Sequence, residues 1–370
     1  EWLQKADFEL DNSTEYCWGP DSSAAHQRHA DFISELEQCN NLIGQIRANC
    51  TAMVDNEQTP GDICDACAMP QACKRDTIET MRGRLYEPIR KRSNGTCFAN
   101  HGPVDGGDDK VLSATSDDVC ALSQIGGKFD GTSESVVLDT SATAGSGGPA
   151  WYLESTSSYQ SNNVNTYGRA LCVPKSLFQD SGNSNWLTEN HNFTAFSGFF
   201  DNTIVPQLDR AATLNGVSGD FDGGGEYVRI YDDTGEWKKK GNSPTGSPLR
   251  ADRTIWGLSN PGGGAIDTVS FPGGIDGATS TDSVAVDNGE SSLRLARSDD
   301  TFCYLTKFQG RFDGRGEWIK LEQGQTSMDW YLRVRGSCKK SPDLIAGGCD
   351  GDDFKRVESE VECYKYDQSN

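Results

Sequence analysis

From about residue 120 onward, apolar and polar positions alternate with the two-residue period of half-buried strands. Three runs are clearest. Val136/Leu138, Val228/Ile230 and Ile319/Leu321 form one apolar face, and Ser135/Val137, Tyr227/Arg229 and Trp318/Lys320 take the other. Each run follows nearly the same phrase: "GGKFDGTSESVVL" from Gly126, "SGDFDGGGEYVRI" from Ser218 and "QGRFDGRGEWIKL" from Gln309. Phe129, Phe221 and Phe312 thus recur at a period of about 92 residues, and a steady internal period signals a repeat architecture. Asp-Gly favours a tight reversal, so each phrase predicts a β-hairpin with its apolar face toward the core. Weaker copies, "GGIDGATSTDSVAV" from Gly273 and "SGFFDNTIVPQL" from Ser197, extend the pattern to about five hairpins.

The first hundred residues follow a different period. Phe32, Leu36, Cys39, Leu42, Ile43 and Ile46 step by three and four, an amphipathic helix that Asp21 or Ser22 can cap. A second helix is expected from Lys74 to about Arg92, with Ile78, Met81 and Leu85 inward. The expected class is α+β, mostly β: a small helical, disulfide-rich N-terminal domain followed by antiparallel β-hairpin repeats packed as a sandwich or barrel. The expected boundaries are 1–100 for the helical domain, 101–119 for a turn-rich linker, and 120–211, 212–302 and 303–340 for three β repeats. An acidic tail closes the chain at 341–370.

Cysteines add covalent constraints. Thirteen in 370 residues point to an oxidising compartment. The single CxxC, Cys64–Cys67, has no second pair or finger-spaced histidines to complete a zinc site. Cys120 and Cys303 each lie nine residues before the repeated Phe, and Cys172 and Cys338 each follow a "WYL". The middle copy has Ala212 at the first place and lacks a cysteine near "IWGL". Joint loss of both partners predicts the bridges Cys120–Cys172 and Cys303–Cys338, and the tail predicts a third, Cys349–Cys363.

Asn12, Asn49, Asn94 and Asn192 stand in glycosylation sequons, consistent with a secreted, extracellular glycoprotein. The net charge of −21 argues against nucleic acid and anionic membranes as partners, the short basic clusters Lys238–Lys240 and Arg82–Arg92 read as solvated faces, and no apolar run is long enough to span a bilayer. Nucleotide, metalloprotease and hydrolase motifs are absent, so no cofactor or metal is expected. Exposure on a helix face accounts for His26 and His29, and turn chemistry accounts for Asp130/Glu134, Asp222/Glu226 and Asp313/Glu317.

The chemistry that remains lies on the second face of the strands. Tyr227 beside Arg229 and Trp318 beside Lys320 pair a flat ring with a cation, and Trp330 adds another ring; such rings stack on sugar faces. The leading expectation is a secreted recognition or adhesion protein for glycans or glycoproteins, made multivalent by repetition. The alternatives are a self-associating structural subunit of an extracellular assembly, and a secreted enzyme of cofactor-free oxygenase, luciferase or glycosidase type with no readable motif.

Overall fold

A computed structural model of the chain describes residues 16–17, 22–55, 78, 81–85, 89–90, 98–114, 117–141, 150–157, 165–175, 186–195, 200–206, 210–221, 225–233, 236–243, 249–258, 281–286, 289–297, 301–324, 328–337 and 357–365. A long helix, α1 (Ser22–Asp55), precedes a mostly β structure in which residues 78 and 81–83 are also helical. Phe32 and Cys39 are buried on its inner side, and Cys39 is disulfide-bonded. His29, expected on the exposed face, is fully buried, whereas Leu42, expected inward, is 38% exposed. Tyr16–Cys17 (β1) pairs with Ile89–Arg90 (β2). The second helix therefore does not reach Arg92. Gly83 and Pro88 both disfavour helix, and the helical residues 81–83 end there in two overlapping turns, Arg84 N–H to Met81 O and Leu85 N–H to Arg82 O.

The strands fall into three groups of six. The first comprises β3 (Ala99–Asp105), β4 (Asp109–Ala114), β5 (Asp118–Lys128), β6 (Asp130–Ser141), β7 (Ala150–Thr156) and β8 (Tyr167–Pro174). The second comprises β9 (Trp186–Ala195), β10 (Phe200–Pro206), β11 (Arg210–Asp220), β12 (Tyr227–Asp233), β13 (Glu236–Asn242) and β14 (Leu249–Leu258). The third comprises β15 (Thr281–Val286), β16 (Gly289–Arg297), β17 (Thr301–Gln309), β18 (Asp313–Gln323), β19 (Asp329–Gly336) and β20 (Val357–Lys365). The stretch 101–119, expected as a linker, therefore holds most of β3 and all of β4, and the expected tail supplies β20.

Pairing within each group is the same. The first strand pairs with the sixth, the second with the fifth, the third with the sixth and the fourth with the fifth. Each group's fourth strand then pairs with the third strand of another group: β6 with β11, β12 with β17, and β18 with β5. The result is three antiparallel six-stranded sheets, β4-β7-β6-β11-β14-β9, β10-β13-β12-β17-β20-β15 and β16-β19-β18-β5-β8-β3. Every sheet takes three strands from each of two groups, and none closes into a barrel among the described residues.

This pairing corrects the hairpin expectation. The strand before each repeated Phe and the strand after it belong to different sheets, so the phrase is a corner. Phe129 N–H donates to Phe312 O, Phe221 N–H to Phe129 O and Phe312 N–H to Phe221 O, each at 2.7 Å. The three backbones thus bond in a ring, and their side chains, all fully buried, pack on Phe308. Two residues before each Phe stands a glycine with positive φ, Gly127, Gly219 and Gly310, which lets the chain turn where other residues would be strained. The Asp-Gly glycine of the third copy, Gly314, also has positive φ, whereas in the first copy Gly131 serves another purpose. A Cβ at Gly131 would lie 2.5 Å from Glu134 Oε2, so its absence makes room for the carboxylate of its own phrase. Glu134, Glu226 and Glu317 are all buried at these corners, and Glu317 accepts a hydrogen bond from Ser337 Oγ.

The expected core face is buried in all three copies: Val136, Leu138, Val228, Ile230, Ile319 and Leu321. Cys120 faces Cys172 across β5 and β8 and is bonded to it. Cys303 faces Cys363 across β17 and β20 and is bonded there, not to Cys338. The strand opposite Cys303 is β20, whereas Cys338 follows β19 in another sheet. Cys363 is thereby unavailable to Cys349; Cys338 and Cys349 lie outside the described residues. Ala212 faces Ile255 at the corresponding place in the middle group.

Candidate functional site

The sheet β16-β19-β18-β5-β8-β3 carries Trp318, Lys320 and Trp330 of the residues expected to meet a ligand, and its register places the first two in rows that run across the strands. One row reads Glu290, Arg335, Trp318, Gly126, Tyr167 and Asp105, each facing the next on the adjoining strand. The row beside it reads Ser292, Arg333, Lys320, Gln124 and Arg169. Residues on one face of neighbouring strands come within contact distance, so each row acts as a unit.

Trp318 does not face solvent. It is 3% exposed, because residues 82–84 lie along its row. Arg82 forms an ion pair with Glu290 at one end. Gly83 sits over the middle, with its carbonyl accepting from Gln124 Nε2. Arg84 reaches Asp105 at 3.2 Å at the other end, with its guanidinium 5.4 Å from the centre of the Tyr167 ring. A Cβ at Gly83 would lie 2.2 Å from Tyr167 Oη and 3.0 Å from Trp318 Cδ1, so glycine is the residue that fits. Under this strap Trp318 Nε1, Tyr167 Oη and Gln124 Oε1 are buried without hydrogen-bond partners among the described residues. Each such orphan costs about 1–3 kcal/mol.

Lys320 is also buried, paired with Glu322 at 2.7 Å; Arg333 pairs with the same carboxylate at 2.8 Å. Lys320, Glu322, Gln124, Arg169 and Trp330 line a cavity of about 20 Å³, room for a water molecule. Trp330 is a core residue, stacked on Phe98 at 6.4 Å and donating from Nε1 to Thr301 O. Tyr227 and Arg229 lie on another sheet and are half-buried. The Lys307 ammonium lies 5.8 Å from the Tyr227 ring, and Arg229 is bonded to Glu360 at 2.6 Å. The five expected ligand residues are therefore not assembled into one exposed site. Of the glycosylation sequons, Asn49 is exposed on α1, Asn192 lies on β9, and Asn12 and Asn94 fall outside the described residues.

An open groove lies beside the strap, between α1 and the turn after β3. Its volume is about 420 Å³. Asp31 and Glu35 line it from the helix, and Asp105, Asp108 and Asn165 from the β side, over a floor that includes Phe32, Met81 and Leu85. Arg28 and Arg84 converge on Asp105 at 2.8 and 3.2 Å, and Arg84 also donates to Asn165 O, which fixes both guanidiniums. Sequence periodicity placed Phe32 and Leu85 correctly inward. It could not bring Asp31 and Glu35 opposite Asp108, because that contact depends on how α1 docks.

Burial pushes the Tyr167 phenol under the strap well above its usual range, and the other shifts among acids and amines point elsewhere. Burial pushes the Asp118 carboxyl up, against the pull of Ser113, His101 and Lys175, and burial pushes the Lys175 amine down. Neither residue lines the groove or the small cavity. Among the described residues no cluster of three His, Cys, Asp or Glu side chains could hold a metal ion, and no helix is long and apolar enough to cross a membrane. Comparison with family models, with curated proteins and with solved structures finds no match to this chain.

Proposed function

We propose that this is a secreted recognition protein whose partner is a glycan or glycoprotein, held in the groove between α1 and the β3–β4 turn. The observation that carries the reading is the lining of that groove. Four carboxylates and two immobilised guanidiniums, with smaller apolar patches from Phe32, Met81 and Leu85, line a volume of about 420 Å³. Carboxylates accept from sugar hydroxyls, guanidiniums donate to them, and the apolar patches suit the C–H face of a pyranose. The disulfides agree with an oxidising compartment. An enzymatic reading has less support, since the shifted acid and amine stand away from the groove.

A glycan array tests it. Wild-type protein is expected to bind at least one glycan class, and Asp31→Asn with Glu35→Gln to weaken that binding about tenfold, the value of one or two charge-assisted hydrogen bonds. Silence across the array overturns the reading, as does binding that both substitutions leave unchanged.

A further inference from the structure

The strap is one place where the structure departs from what a purely architectural contact requires. Residues that close a core satisfy the polar groups they bury. Residues 82–84 do so at their ends, through Glu290 and Asp105, but not in the middle. There Trp318, Tyr167 and Gln124, exposed by 3%, 0% and 0%, keep an indole N–H, a phenol O–H and an amide oxygen without partners among the described residues. The Tyr167 hydroxyl and the pyrrole edge of Trp318 both point at Gly83, whose lack of a side chain leaves nothing to meet them.

We propose that Trp318 and Tyr167 of this row, with Gln124 of the next, form a second carbohydrate site and that Arg82-Gly83-Arg84 is its displaceable cover. The choice of a sugar rests on the glycan reading of the neighbouring groove; the displaceable cover does not. Two flat rings and an amide side chain, presenting two donors and an acceptor, match a pyranose. Its C–H face stacks on the indole, and its hydroxyls donate to Gln124 Oε1 while accepting from Trp318 Nε1 and Tyr167 Oη. A glycine backbone supplies one acceptor, already used by Gln124 Nε2, so the sugar satisfies three atoms that the strap leaves orphaned. The strap also joins the two regions: Met81, Arg84 and Leu85 line the groove, so a glycan lodged there touches the segment that has to lift.

Gly83→Ala is the test, because its methyl group cannot fit and the binding residues themselves are unchanged. Hydrogen exchange at residues 81–85 is expected to speed up at least tenfold, with Trp318 opened to acrylamide quenching. Affinity for the methyl glycosides of glucose, galactose, mannose and N-acetylglucosamine, read by saturation-transfer NMR, is expected to rise at least tenfold for one of them. Adding Trp318→Phe, which keeps a ring and removes the N–H, is expected to abolish that gain. Arg82→Ala, which frees the end remote from the groove, gives the same direction of change if Gly83→Ala fails to fold. Unchanged exchange in both variants overturns the cover, and faster exchange without a gain in sugar affinity overturns the site. If wild type binds array glycans but Gly83→Ala gains nothing, the inference falls while the groove reading stands. If Gly83→Ala gains affinity while the groove substitutions are silent, the groove reading falls and the inference stands.

Discussion

Replacing one ring at the meeting point of the three sheets measures how far the structure depends on it. Phe129 is fully buried, with Phe221 at 6.1 Å, Phe312 at 6.0 Å and Phe308 at 5.5 Å between ring centroids. Phe129→Ala removes the transfer energy of the ring and leaves a cavity among side chains held by three corners at once, about 3–5 kcal/mol. Each lost aromatic pair contributes about 0.5–1.5 kcal/mol of that beyond its area. The backbone ring through Phe129, Phe221 and Phe312 treats the three positions alike, so Phe221→Ala and Phe312→Ala belong in the same range. Because the rings touch, Phe129→Ala with Phe312→Ala is non-additive, with a coupling of about 0.5–3 kcal/mol. Urea unfolding followed by near-ultraviolet circular dichroism reads these values as shifts in midpoint at constant slope. A cost below about 1 kcal/mol at any one position refutes the argument that the corners share one core.

Other consequences can be measured directly. Peptide mapping under non-reducing conditions is expected to link Cys303 to Cys363, and a Cys303–Cys338 peptide would contradict the fold. Removing Cys120–Cys172, with a sequence separation of 52, is expected to destabilise by about 4 kcal/mol on the chain-entropy relation. Removing Cys303–Cys363, with a separation of 60, is expected to cost about the same on that relation. Asp118→Asn is expected to raise Tm at pH 7. Burial lifts the folded carboxyl above its ordinary value of 3.8, so the native state binds this proton more tightly and the charged form carries the penalty. That gain should shrink as pH falls through the folded value toward 3.8, and an equal Tm difference at pH 7 and pH 3 would rule out burial as its cause.

Alternation made the strands and their core face legible, since Val136, Leu138 and their counterparts obey a two-residue period that sheet burial enforces. Cys120–Cys172 was legible because both cysteines lie near recurring landmarks. The partner of Cys303 was not: a similar "WYL" drew attention to the strand before Cys338, and nothing local marks Cys363 as lying opposite. Corners and hairpins draw on the same residues, Gly and Asp among them. The phrase could therefore announce a reversal of direction without saying whether the following strand returns to the same sheet. Trp318 shows the same limit at the site. Its alternation is that of an outward residue, and it is outward with respect to its sheet. What covers it is Gly83, from the opposite end of the chain, a contact that no local period encodes.

The placement of the two described inter-strand bridges follows from how the three groups are joined. The first and second groups are linked by continuous chain and by β6 pairing with β11, and the second and third by continuous chain and by β12 pairing with β17. The remaining junction, β18 with β5, unites the last group with the first and has no short connection to hold it. Closing it orders a long stretch of chain, so its entropic cost falls on the two groups that meet there. Those are the groups stapled by Cys120–Cys172 and Cys303–Cys363, with the first bridge on seam strand β5 itself. The middle group, tethered on both sides, has Ala212 and Ile255 where the others have cysteines. The strap crosses the same seam, with Gly83 meeting Gln124 of β5 and Trp318 of β18. Lifting it removes a clasp from the one junction without chain continuity, so a ligand that displaces the strap also loosens that joint.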